Sequence, residues 1–111
     1  MGATPTPEQV FSTLFHRRWA VPILAELHRL GGAKFVTLSH RLGLSPDSLS
    51  RTLAWLGEAG WARRNPGEGH PLRPEYVLTA RGRALGPGCA ALFERLRALD
   101  VAGVGLRKWA M

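Results

Sequence analysis

Ser48 and Arg51 stand three residues apart behind a Ser45-Pro46 pair. Ser is a preferred helix cap and Pro suits the first helical position, so the pair opens a helix that presents both side chains early. An Arg guanidinium there can donate two parallel hydrogen bonds to the acceptors of a guanine edge, and a Ser hydroxyl bonds base edges less selectively. Asp47 lies beside the positive helix start, where it can orient Arg51 or accept from cytosine. Leu49, Leu53 and Leu56 fall on one side of this helix, which leaves Asp47, Ser48, Arg51, Ala54 and Trp55 on the other, with Ser50 and Thr52 at the borders.

Two further groups have the chemistry of phosphate ligands. Ser39, His40 and Arg41 precede the first group, and Arg63, Arg64, His70 and Arg73 follow it within a Gly- and Pro-rich stretch. This is chemistry of holding an anion, not of breaking a bond. The sequence has no His-Glu zinc motif, phosphate loop or Gly-x-Ser-x-Gly elbow, so no enzyme, metal or cofactor is expected. The four His residues are scattered, and surface positions explain His16 and His28.

The charge balance agrees. Fifteen Lys and Arg oppose eight Asp and Glu, a net +7 in 111 residues, and all the cations but Lys34 and Lys108 are Arg. The excess lies mainly in residues 34–83, where eight cations face four acids, so it is not a basic tail. Such a balance implies an anionic partner, with nucleic acid first. The length is that of one small domain, and 45% apolar with 21% charged residues is a folding composition. A single cysteine, Cys89, excludes an intramolecular disulfide framework and a multi-Cys zinc site. The opening MGATPTPEQ has no basic stretch followed by an apolar one, and no run approaches the roughly 20 apolar residues that span a bilayer. The expectation is a soluble cytoplasmic protein without a membrane partner.

The elements that must hold these residues follow from caps and apolar spacing. Thr6-Pro7-Glu8-Gln9 reads as a capping box opening a helix over 6–15, with Val10, Phe11, Leu14 and Phe15 as its stripe. A second helix opens near Trp19, tolerates Pro22 in its first turn, and ends at Gly31-Gly32. Lys34-Phe35-Val36 reads as a minimal strand. Residues 37–58 read as a two-turn helix to Gly43, a connector at Leu44, and the helix opened by Ser45. Residues 61–79 read as a hairpin of strands Trp61–Arg64 and Tyr76–Thr79 with a long tip. Thr79 caps a last helix over 80–100, which Gly86-Pro87-Gly88 is expected to kink or interrupt.

A short helix, a tight turn, a capped second helix and a basic hairpin compose a winged helix-turn-helix. The fold class is mainly α (α+β), with a two-stranded β-wing and terminal dimerisation helices. Phe11, Leu14 and Phe15 at one end, and Leu92, Phe93, Leu96 and Leu99 at the other, offer more apolar face than one small winged helix covers. A symmetric pair would bury both stripes.

Three stretches resemble the HxlR-type family of small bacterial winged-helix transcription regulators. Arg18-Trp19 with Ile23, Leu24 and Leu27 is similar to the family's opening. Leu44-Ser45 with Leu49, Leu53, Leu56, Gly60 and Arg63 is similar to its recognition segment. Pro71 followed by Glu75-Tyr76, Leu78-Thr79 and Gly82, continued by Leu85 and Pro87, is the most specific of the three. Leu-Thr-x-x-Gly alone also occurs in MarR-type regulators, whose Asp-x-Arg wing pair is absent here. The resemblance covers roughly residues 14–100. It implies a homodimer held by N- and C-terminal helices on a near-palindromic operator in double-stranded DNA. Some relatives sense oxidants through a cysteine near the amino end. Cys89 lies in the last helix, so the resemblance does not extend to that route, and the residue reads as a buried or interface thiol.

Other readings share some of these features. Trp19 and Trp61 are core aromatics or liners of a pocket for a small-molecule effector. The same fold can be a protein–protein module with Trp55 and the wing as its surface, or a nucleic-acid binder without sequence preference.

Overall fold

The computed structural model describes residues 4–66 and 74–101, and its helices begin where side chains satisfy the first free N–H groups. Thr6 Oγ1 accepts from the Gln9 N–H at 3.1 Å, and Gln9 Oε1 accepts from the Thr6 N–H at 2.9 Å, which opens α1 (Pro7–His16). Helix α2 (Ala20–Leu30) follows Trp19, carries Pro22 in its first turn and ends at Gly31. Helix α3 (Phe35–Leu42) and helix α4 (Pro46–Ala59) flank a turn at Gly43, whose φ of 65° is the left-handed conformation that glycine adopts most readily. Ser45 Oγ accepts from the Ser48 N–H at 3.2 Å and caps α4. Strands β1 (Ala62–Arg64) and β2 (Tyr76–Leu78) pair antiparallel, with Ala62 opposite Leu78, Arg63 opposite Val77 and Arg64 opposite Tyr76. Thr79 Oγ1 accepts from the Gly82 N–H at 3.0 Å and caps α5 (Ala80–Val101). The result is a mainly helical winged helix-turn-helix with a two-stranded antiparallel sheet.

The core forms around α2. Ile23, Leu24 and Leu27 are fully buried against Leu38 of α3 and Leu49 and Leu56 of α4. Removing each such side chain from water contributes about 2 kcal/mol. Helix α5 lies along α2 and over the root of the hairpin. The approach is close because an added Cβ at Gly82 would stand 1.9 Å from the Trp61 carbonyl oxygen, and one at Gly86 would stand 2.9 Å from His28 Cβ.

Three expectations change. Lys34-Phe35-Val36 is not a strand: Phe35 is the first residue of α3, and pairing is confined to an isolated bridge between Ala33 and Tyr76. The reason is long-range, because a wing carboxylate satisfies the start of α3. Of the kink or interruption expected at Gly86-Pro87-Gly88, the interruption does not occur: helix α5 runs on through Pro87. Pro87 is exposed, and Gly82 and Gly86 serve close packing rather than a break. Leu14 is only 6% exposed and belongs to the chain's own core, so it is not available to a partner as expected. Its helix turns Leu14 toward the core and leaves Phe11 and Phe15 outside.

Candidate nucleic-acid interface

Helix α4 sends Leu49, Leu53 and Leu56 inward, as their spacing requires, and holds Asp47, Ser50, Arg51 and Ala54 in solvent. Ser48 is half-buried on the same side. Among the described residues the Arg51 guanidinium has no ion pair or hydrogen bond, so Asp47 does not hold it. Thr52, expected at the border of the open face, is buried, and its hydroxyl donates to the Ser48 carbonyl at 2.8 Å. Trp55 is half-buried rather than outward, and the Arg17 guanidinium lies 5.0 Å from its ring centroid. That contact ties the end of α1 to α4, and no local signal in the sequence points to it.

Helix α3 is more occupied than its sequence suggests. Ser39 Oγ donates to the Leu44 carbonyl at 2.7 Å and closes the turn between α3 and α4. Arg41 Nε donates to Glu26 Oε2 at 2.6 Å, and Arg29 donates to Oε1 of the same carboxylate at 2.7 Å. Glu26 is 3% exposed, so this pair of cations holds a buried charge between α2 and α3. Arg41 keeps 39% of its side chain exposed, and His40 is exposed. The role of Glu26 was not read from sequence; its spacing to Arg29 was the only local signal.

In the hairpin, Arg63 and Arg64 are both exposed, but strand alternation sends them to opposite faces. Arg64 lies 5.6 Å from the Tyr76 ring centroid and 4.0 Å from Glu75. Arg63 borders a cleft of about 310 Å³ with His28, Asn65 and Arg83, floored by Leu27 and Val77. His70 and Arg73 lie outside the described residues.

Two apolar surfaces remain exposed on the chain. Phe11 and Phe15 are 64% and 50% exposed, with ring centroids 4.6 Å apart. Leu92, Leu96 and Leu99 are exposed along one side of α5, and Phe93 is half-buried with Arg97 over its ring at 5.9 Å. Trp61 lines a cavity of about 170 Å³ with Val10, Thr13 and Leu14, whereas Trp19 packs against the core with Arg18 over its ring. Cys89 is half-buried, and burial pushes its thiol above the usual range, which disfavours the reactive thiolate. Among the described residues no cluster of three metal-ligating side chains occurs, and no helix is long and apolar enough to cross a membrane.

The family model described as HxlR-like helix-turn-helix matches residues 14–98. An uncharacterized HTH-type transcriptional regulator of Mycobacterium tuberculosis is 36% identical over 81 residues, which are 73% of this chain and 51% of that protein. A counterpart in Mycobacterium bovis has the same identity and coverage. The chain therefore spans about half the length of the curated relatives it matches.

Proposed function

The chain belongs to the HxlR-like helix-turn-helix family, and from that premise we propose that it is a sequence-specific transcription regulator of double-stranded DNA. The observation that carries the reading is the open face of α4, where Arg51 stands unpaired among the described residues beside Ser48 and Ser50. A B-form major groove admits one helix of this kind, and the early residues of that helix meet the base edges. His40 and Arg64 grip the flanking phosphates, with the exposed part of Arg41 beside them while its Nε stays on Glu26. The exposed stripes of Phe11 with Phe15 and of Leu92, Leu96 and Leu99 support a homodimer. Two copies related by a two-fold axis would set their α4 helices into successive major grooves, about 34 Å apart, on a near-palindromic operator. The small cavity beside Trp61 supports response to a compact apolar effector. The setting is the bacterial cytoplasm.

Duplexes selected from a random pool and their scrambled counterparts, titrated over a range of salt, test this reading. Regulation at an operator requires a large affinity ratio and a steep salt slope. A slope without a ratio would mean non-specific binding, and the loss of both would mean a protein-binding module. In the same assay Arg51→Ala should reduce the ratio by about 1–3 kcal/mol at one operator position. An unchanged ratio would remove Arg51 as the reader. Arg64→Ala should weaken all duplexes alike and flatten the slope by about one unit. A sequence-dependent loss would move Arg64 from phosphate to base.

A further inference from the structure

The root of the wing is bonded to the helix-turn-helix across a long stretch of chain. Glu75 Oε1 accepts the Phe35 N–H at 2.8 Å, over a separation of 40 residues. Phe35 is the first residue of α3, and Lys34, in the cap position, makes no side-chain cap bond. A carboxylate from the wing thus does for α3 what Ser45 does for α4, and it places a negative charge at the positive end of that helix. Beside it, Ala33 and Tyr76 exchange both backbone hydrogen bonds at 3.0 Å. Gly32 permits this approach, because an added Cβ would stand 2.7 Å from Pro74 Cγ. On the other side of Glu75, its carbonyl accepts the Asn65 N–H at 2.7 Å, and its Oε2 lies 4.0 Å from Arg64 Nη2.

From this junction we infer that Glu75 is a positioning residue, which caps α3 from the wing and holds Arg64 in a fixed relation to the reading helix α4. The inference rests on the DNA-binding reading and deepens it. A hairpin of three residue pairs has little directional stability of its own. An eight-residue helix is equally marginal alone. Ala62 and Leu78 seat the inner end of the hairpin in the core, and at its outer end the Ala33–Tyr76 bridge is a single residue pair. The Glu75 carboxylate adds a second attachment at that outer end, next to Arg64. With it in place, the phosphate met by Arg64 and the bases met by Arg51 are in register with one duplex.

Simple electrostatics gives the opposite expectation for mutation. Removing an acid beside a DNA-binding surface should tighten binding, since phosphates repel carboxylates. If Glu75 positions the wing, Glu75→Ala weakens binding instead, by about tenfold for the specific duplex. It also lowers the salt slope by about one unit although Arg64 is still present, because Arg64 no longer reaches its phosphate. Glu75→Gln keeps an acceptor for the Phe35 N–H and restores both. In an Arg64→Ala background, Glu75→Ala has little further effect on the slope. A merely destabilised fold would reduce the active fraction and leave the slope of the remaining protein unchanged. Amide hydrogen exchange provides a reading that does not need DNA: Phe35 should exchange at least tenfold faster in Glu75→Ala than in the unmutated chain or Glu75→Gln. Tighter binding, an unchanged slope, or an unchanged Phe35 rate in Glu75→Ala overturns the inference. If the unmutated chain binds no duplex, the DNA-binding reading fails, and the Phe35 rate alone then decides whether Glu75 caps α3.

Discussion

Gly82→Ala should lower stability by about 3 kcal/mol or more, although alanine is the better helix former. The new methyl would lie 1.9 Å from the Trp61 carbonyl oxygen, 3.0 Å from its carbonyl carbon and 3.2 Å from Leu78 Cδ2. The first two are backbone atoms, so no rotamer change relieves them. Either α5 withdraws from the wing or the chain at Trp61 shifts. A shift at Trp61 also disturbs the hydrogen bond that its carbonyl accepts from the Thr79 N–H at 3.1 Å, and with it the cap of α5. Gly88→Ala is the matched control, since no atom lies within 4 Å of its added Cβ. It should gain up to about 1 kcal/mol from helix propensity. Urea unfolding of the two variants measures the contrast. A Gly82→Ala chain as stable as the unmutated one would show that α5 does not rest on Trp61.

Leu96→Asp should weaken the proposed homodimer at least a hundredfold, about 2.7 kcal/mol. Leu92, Leu96 and Leu99 recur at helical spacing on α5 and are exposed in the single protomer. In a symmetric interface each would be buried twice, and each burial contributes roughly 1.5–3 kcal/mol when complete. A carboxylate at the centre of that stripe would have to be desolvated beside leucines with no cation guaranteed to meet it. The protomer itself should tolerate the change, because the site is already solvent-accessible. Sedimentation equilibrium reads the association, and circular dichroism checks the fold. Affinity for a two-half-site duplex should fall with the dimer, whereas binding to a single half-site should hardly change. A Leu96→Asp protein that still dimerises would exclude the α5 stripe and leave Phe11 and Phe15 as the surface to test.

The parts of this protein that were legible in its residues are those controlled by neighbours within about four positions. Thr6 with Gln9, Ser45 with Ser48, and Thr79 with Gly82 are caps closed over three residues, so the side chains that mark a helix start also make it. The inward turn of Leu49, Leu53 and Leu56, and the outward turn of Arg51 opposite them, follow from helical periodicity alone. The antiparallel hairpin was legible too, although its strands are a residue shorter than their spacing suggests.

What packing decided is which residues are spoken for. Arg41 has the sequence context of a phosphate ligand, yet its Nε is committed to a buried carboxylate fifteen residues earlier. Trp55 has the position of a contact residue, yet Arg17 covers its ring. Leu14 belongs to an apolar stripe with Phe11 and Phe15 but turns to the core, and Phe35 starts a helix because Glu75 reaches it from the wing. Each of these depends on two segments meeting in space. Periodicity and capping describe one segment at a time, so they group residues along a helix but do not say what packs against each of them.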